Sequence, residues 1–219
     1  MSLNRHQESL LRDGLVRLGI DCTQMMLDRF SLFVGELVLW NRHTNLVGTS
    51  DIEGIITRHI LDSLSAYCLL KNQNGSILDI GAGAGLPSIP LKIAAPSLSI
   101  TACERRRRRA VFLRNVVTLL GFNDMPVEER DVREIKERFD VVLARGVGEL
   151  AWIVELTRTV LKECAMIIAF KGKITEIERE MERLKESSAA DKGMHIDIQR
   201  VKVPYLDKEE RNIVIIKTK

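Results

Sequence analysis

The stretch Leu78-Asp79-Ile80-Gly81-Ala82-Gly83-Ala84-Gly85-Leu86-Pro87 concentrates residues suited to one kind of chemistry. Alternate glycines free the backbone to turn tightly and to approach a bound molecule closely. An apolar strand before them and a helix after them make such a string a cofactor loop, with Pro87 suited to a first helical turn. The spacing is GxGxG. The dinucleotide fingerprint GxGxxG needs glycine where Leu86 stands, which weighs against a nicotinamide cofactor. Glu104 follows Gly81 by 23 residues, close to the roughly 20-residue offset at which an acid ending the second strand reaches ribose hydroxyls. Loop and acid together satisfy S-adenosylmethionine. A plain strand-to-helix turn is the bland reading of the glycines alone, and Asp79 and Glu104 weigh against it. Asp131, just past a third apolar run, stands where a polar group meets an adenine edge; a solvated loop acid beside Arg130 and Arg133 explains it equally well.

Cations supply the second group of candidates. Arg105 to Arg109 open the helix after the second strand. Five consecutive positions point all round a helix, so two or three of them share a face. They also oppose the helix dipole, a cost of a few tenths of a kcal/mol each that contact with phosphates would offset; a solvated face is the alternative. Arg145 and Lys171 each end an apolar run, at the carboxyl edge where open α/β sheets hold ligands. His59 reads as either a site residue or a packed helix histidine, and Asn45 as either a site residue or a turn.

The elements that must position these residues follow from hydrophobic period. From Thr23, the residues Met26, Phe30, Phe33, Leu37 and Trp40 recur at three or four, one face of a long helix. Ser50 and Glu53 have capping-box spacing ahead of a helix carrying Ile52, Ile55, Ile56, Ile60, Leu64 and Tyr67. Residues 1–75 thus read as a helical extension with a hinge near Lys71 to Gly75, and 76–219 as a second unit. There, apolar runs at Ser76 to Ile80, Leu98 to Cys103, Met125 to Glu129, Phe139 to Ala144 and Ala165 to Phe170 alternate with helical stretches at Arg106 to Leu120, Glu149 to Leu161 and Ile174 to Ser187. That alternation predicts βαβ crossovers and a parallel sheet, an α/β Rossmann-like fold. Ile196 to Val203 and Asn212 to Lys217 leave no room for a helix between them, so one strand near the edge must run antiparallel.

Composition excludes other classes. The 219 residues are 45% hydrophobic and 29% charged with 14 Gly and 5 Pro, which rules out disordered and low-complexity chains. The longest uncharged run, Ile80 to Leu91, has 12 residues, short of the roughly 18 to 20 a bilayer needs. The net charge of +3 excludes a polybasic tail; placement of charge is what informs. Four cysteines at least 35 residues apart fit neither a zinc knuckle nor a disulfide scaffold. The start has no apolar signal region, so a cytoplasmic protein with reduced thiols, no metal and no membrane is expected.

Trp40-Asn41 with Asn45-Leu46, then Arg58-His59-Ile60-Leu61-Asp62-Ser63, the Asp79 to Pro90 loop, Phe112-Leu113, Phe139-Asp140, Arg145 and Lys171-Gly172 occur in an order and spacing that resembles the glucose-inhibited division protein B (RsmG) family over nearly the whole chain. These are 16S ribosomal RNA guanine-N7 methyltransferases. The resemblance implies a class I S-adenosylmethionine-dependent methyltransferase fold with a helical N-terminal extension. It implies S-adenosylmethionine as donor and a guanine in the 530 loop of 16S ribosomal RNA, free or in the small ribosomal subunit, as acceptor for a monomeric enzyme. On the cofactor side it implies Asp79, Gly81, Ala82, Gly83, Gly85 and Leu86 in the loop, Glu104 and Arg105 at the ribose, Asp131 and Val132 about the adenine, and Arg145 near the methionine end. Asn45, His59, Arg130, Lys171 and Arg211 look like polar residues around the substrate, where Asn45, His59, Arg145 and Lys171 would position it and Arg130, Lys171 and Arg211 would contact RNA. Arg106, Arg108 and Arg109 are expected RNA contacts on their charge alone, since so arginine-rich a segment departs from the family. Ser88 departs from the family's usual Gly, Ala82 from a common Thr and Glu104 from a common Asp.

Guanine N7 carries a free lone pair, so methyl transfer to it needs positioning and desolvation rather than a general base. That matches a motif region without a nucleophile pair or metal cluster. An NAD-dependent oxidoreductase and a non-catalytic RNA-binding assembly factor are the competing classes.

Overall fold

The computed structural model describes residues 3–189 and 193–218. Two helices lead, α1 (Arg5–Arg17) and α2 (Gln24–Thr44). Thr23 caps α2 by accepting from the Met26 amide at 3.2 Å. The next helical stretch is irregular: α3 (Ile52–Ile55) passes into a π-helical segment (Ile56–Leu61), a 3-10 turn (Leu64–Ala66) and α4 (Tyr67–Leu70). Its cap is Asp51, which accepts from Gly54 at 2.8 Å, and not the expected Ser50. Neighbouring Ser and Asp can both cap, and only Asp51 stands three residues before the free amide it satisfies.

The remainder alternates β1 (Ser76–Ile80), α5 (Ser88–Ala94), β2 (Ser99–Cys103), α6 (Arg107–Leu119), β3 (Val127–Glu128), β4 (Phe139–Arg145), α7 (Leu150–Thr157), β5 (Leu161–Lys171) and α8 (Ile174–Glu186), then β6 (His195–Arg200) and β7 (Asn212–Lys217). The helix expected over Glu149 to Leu161 ends early because Leu161 already pairs with Phe139. Pro87 precedes the first turn of α5 instead of lying in it. The strands form one sheet in the order β3-β2-β1-β4-β5-β7-β6. β1 to β5 are mutually parallel; β7 runs antiparallel to both β5 and β6. This is the class I methyltransferase architecture.

Two cores cover the two sheet faces. On one, Ile77, Ile100, Val141, Ile168 and Ile213 pack with Phe30, Phe33, Ile89 and Phe112, so the leading helices share a core with α5 and α6. On the other, Leu78, Val142, Ile167 and Val214 pack with Ile153 and Val154 of α7 and Ile177 of α8. Adjacent residues Ile77 and Leu78 fall on opposite faces, as the two-residue strand period requires. Both faces being covered is what a central parallel strand rich in Val and Ile predicts. Among the described residues, no helix is long and apolar enough to cross a membrane, and no three His, Cys, Asp or Glu side chains gather as a metal site.

Candidate active site

Strand order reverses between β1 and β4, and their carboxyl ends open a crevice there. The loop after β1 is held from below and from the side. Asp79 Oδ2 accepts from the Ser88 amide at 3.3 Å, tying the strand to the first turn of α5. Glu104, only 4% exposed, accepts from the Gly83 amide at 3.1 Å with Oε2 and from the Arg106 amide at 2.7 Å with Oε1. The Ala82 amide donates to the Cys103 carbonyl at 3.0 Å. Gly85, at φ +77°, is where glycine is demanded most: a Cβ there would lie 2.5 Å from Ile89 Cγ1.

Burial of Asp79 pushes its carboxyl up to about 7, against the hydrogen bond from the Ser88 amide and the charge of Arg145. Its Oδ1 and the neighbouring Ser88 Oγ have no hydrogen-bond partner. Beyond the loop lies an open cleft of about 230 Å³, lined among others by Gly81, Glu104, Asp131, Val132, Val147 and Trp152. Arg105, Arg106, Arg109 and Arg130 stand round it. The Asp131 carboxylate grips the Arg133 side chain through two 2.8 Å hydrogen bonds and accepts from its amide at 3.0 Å, which holds it down at about 2.

Of the residues assigned to the cofactor side, Gly81, Glu104, Arg105, Asp131 and Val132 therefore come together on the cleft wall. Asp79, Ala82, Gly83, Gly85 and Leu86 build the loop without lining that cleft. Arg145 turns elsewhere. From the end of β4 it donates to Asp62 Oδ2 at 3.1 Å and 2.7 Å and to the Arg58 carbonyl at 2.9 Å. Arg211, immediately before β7, donates to the other Asp62 oxygen at 3.0 Å and to Glu209 at 2.5 Å. Arg58 closes the group with a 2.8 Å ion pair to Glu209. Lys171, ending β5, binds Glu180 of α8 at 2.5 Å and the Gly148 carbonyl at 2.7 Å.

Beside this cluster, in the π-helical segment, His59 has a buried Nδ1 without a hydrogen-bond partner. Burial and then the Arg145 charge push its imidazole down to about 4, so it is neutral at physiological pH. Asn45 ends α2 at φ 45°, the left-handed cap position. Its carbonyl accepts from Arg109 at 3.3 Å in a separate groove. Arg130 pairs with Glu128 at 2.8 Å. Arg106 and Arg108 are exposed and, among the described residues, in no ion pair.

Asp62, present in the motif Arg58 to Ser63 but given no role by its sequence context, is the hub of this cluster. A carboxylate between buried Leu61 and Leu64, itself 6% exposed, requires a partner, and that embedding was the available signal. Glu180 and Glu209 carried no such signal.

A family model described as rRNA small subunit methyltransferase G matches residues 26–214. The chain belongs to that family. Members of the methyltransferase G family from Neisseria meningitidis serogroup B and from Roseiflexus sp. are 34% and 33% identical to it over 209 and 204 residues. Those matches cover 94% and 90% of this chain and 96% and 86% of the relatives. Among solved structures, the O-methyltransferase from Bacillus cereus in complex with SAH is similar with a TM-score of 0.57 at 15% identity, over 86% of this chain and 91% of that one. M. jannaschii TYW2 in complex with AdoMet follows with 0.53 at 21%, over 71% and 74%. These two likenesses show the fold. Neither the oxidoreductase nor the assembly-factor alternative finds support among them.

Proposed function

We propose that the protein transfers a methyl group from S-adenosylmethionine to N7 of a guanine in the 530 loop of 16S ribosomal RNA, in the cytoplasm. Membership in a small-subunit rRNA methyltransferase family supports methyl transfer to RNA, and the lack, among the described residues, of a suitably titrating base beside the cleft supports an acceptor atom with its own lone pair. The donor fits the residues present: a loop whose backbone is exposed at Gly81, an acid at Glu104 beside it, and an apolar wall at Val132 and Val147. Its sulfonium supplies an electrophilic methyl group.

The chain's own part is to hold the acceptor and exclude water. A general base must titrate near the working pH. His59, at about 4, is already neutral and weakly basic, and Asp79, at about 7, is sealed beneath the loop. An acceptor with its own lone pair needs neither. Methylation leaves guanine cationic, so naked guanidinium groups near N7 would oppose the reaction. Asp62 and Glu209 together offset Arg145 and Arg211, and Glu180 offsets Lys171, which leaves these donors able to bind O6 or a phosphate with a reduced net field at N7. Exposed Arg105 and Arg106 with half-buried Arg109 give the mouth of the cleft its attraction for a polyanion.

The test is incubation of unmodified small-subunit RNA, and of the intact small subunit, with protein and labelled methyl donor, followed by mapping of the modified base. Label at N7 of a guanine in the 530 loop is the expected result. Label at another atom or region overturns the assignment.

A further inference from the structure

The arginine run divides. Arg105, Arg106 and Arg109 line the strand-edge cleft, whereas Arg107 and Arg108 line a second groove of about 780 Å³ between α2 and α6. Its other walls are Leu39, Trp40, His43, Thr44 and Val111. Leu39 is 53% and Val111 40% exposed, an unusual outlay of apolar surface beside cations. Trp40 is held edge-on to Phe112, with ring centroids 5.7 Å apart, and Glu36 accepts from Asn115 at 2.8 Å to clamp the two helices. The groove is therefore a fixed feature.

No acidic side chain among the described residues lines it. Among the described residues, neither Arg107 nor Arg108 enters an ion pair, in contrast to Arg130, Arg145, Lys171 and Arg211. We infer that this groove is a second nucleotide site: it takes one unstacked base of the RNA against Leu39, Trp40 and Val111, with the flanking phosphates on Arg107 and Arg108. Bases splayed from single-stranded loops stack on aromatic, apolar and guanidinium surfaces, and arginine grips phosphate through paired N–H donors. The volume lies within the roughly 300–1,000 Å³ of small-ligand sites. A strand crossing the start of α6 could then hold one nucleotide on each side of the helix. The inference rests on the RNA-acceptor reading above.

Leu39→Glu tests it, with Leu39→Ser as a neutral companion and Arg107→Glu/Arg108→Glu as the electrostatic control. Methylation kinetics on unmodified small subunits and hydroxyl-radical footprints of the RNA are the readouts, with donor affinity confirming an intact fold. Leu39→Glu is expected to raise KM for the subunit about tenfold, the equivalent of one lost base-stacking contact, with little change in kcat. Leu39→Ser goes the same way by about threefold. The wild-type footprint includes a nucleotide outside the methylated one that Leu39→Glu leaves unprotected. An unchanged KM with Leu39→Glu overturns the site, as does a KM effect confined to the double arginine variant, which would mark general attraction only. A raised KM with an unaltered RNA footprint assigns the groove to a protein partner and also overturns it. Wild-type protein that methylates no RNA sinks the acceptor reading itself, a result distinct from all of these.

Discussion

At the β1 and β2 end of the crevice, both oxygens of Glu104 accept from backbone amides in a buried loop, whereas at the β4, β5 and β7 end Arg145, Lys171 and Arg211 are each held by a carboxylate from another element. The first end is shaped by main-chain hydrogen bonds and glycine conformation, which hardly respond to salt. The second consists of partly exposed ion pairs, which an arriving phosphate can enter or exchange. Under the proposed function, the first end would hold the small, constant cofactor and the second would accommodate the large substrate.

Removing the hub should separate the two ends most sharply. Asp62→Ala leaves Arg145 without its carboxylate and Arg211 with Glu209 alone. We expect kcat/KM for RNA to fall about 100-fold and stability by about 2–3 kcal/mol, below the 3–5 kcal/mol of a fully buried pair because both arginines are partly exposed. Donor affinity should hold within about twofold; equal losses for donor and RNA would erase the distinction. Salt is the next lever. Raising it from about 50 to 200 mM should increase KM for RNA by about 10–50-fold, as release of a few counterions requires, while donor Kd measured by calorimetry stays nearly constant.

Glu104→Gln attacks the other end. It keeps the volume but its amide nitrogen cannot accept, so either the Gly83 or the Arg106 amide loses its partner and the other bond loses its charge. Donor affinity should drop about tenfold with KM for RNA little changed.

Buried titratable groups at the two ends give opposite pH signs. Asp79 is raised from 3.8 to about 7, so its ionisation costs stability as pH rises between those values; Asp79→Asn should remove that loss. His59 is lowered from 6.5 to about 4, so the unfolded chain holds the extra proton between them and stability grows with rising pH; His59→Gln should remove that gain. Urea melts across pH 4 to 7 read both slopes. The smallest effect belongs to Ser88→Ala. Deleting a buried hydroxyl without a partner should leave stability within about 0.5–1 kcal/mol of the wild type.

Local features were legible in the residues. Thr23 announced α2, the bounds of β1 and β7 follow from their apolar runs, and the reversal of β7 follows from the lack of room for a crossover. The π-helical segment was not legible, because Ile52, Ile55, Ile56 and Ile60 mark one apolar face for either helical pitch. At the site, the glycine loop could be read because its glycines, Asp79 and Ser88 lie within ten residues. The acid that each cation meets could not: Asp62 is separated from Arg145 by 83 residues and from Arg211 by 149. Only the folded sheet edge brings them into reach.

Because β7 runs against β5, the crevice receives the beginning of one strand beside the ends of two others. Arg211 stands where a segment arrives and Arg145 where one departs, with a single carboxylate fastened to both. Asp62 is thus a tie across the sheet edge, fastening the segment that leads into β7 to the end of β4 with β5 between them.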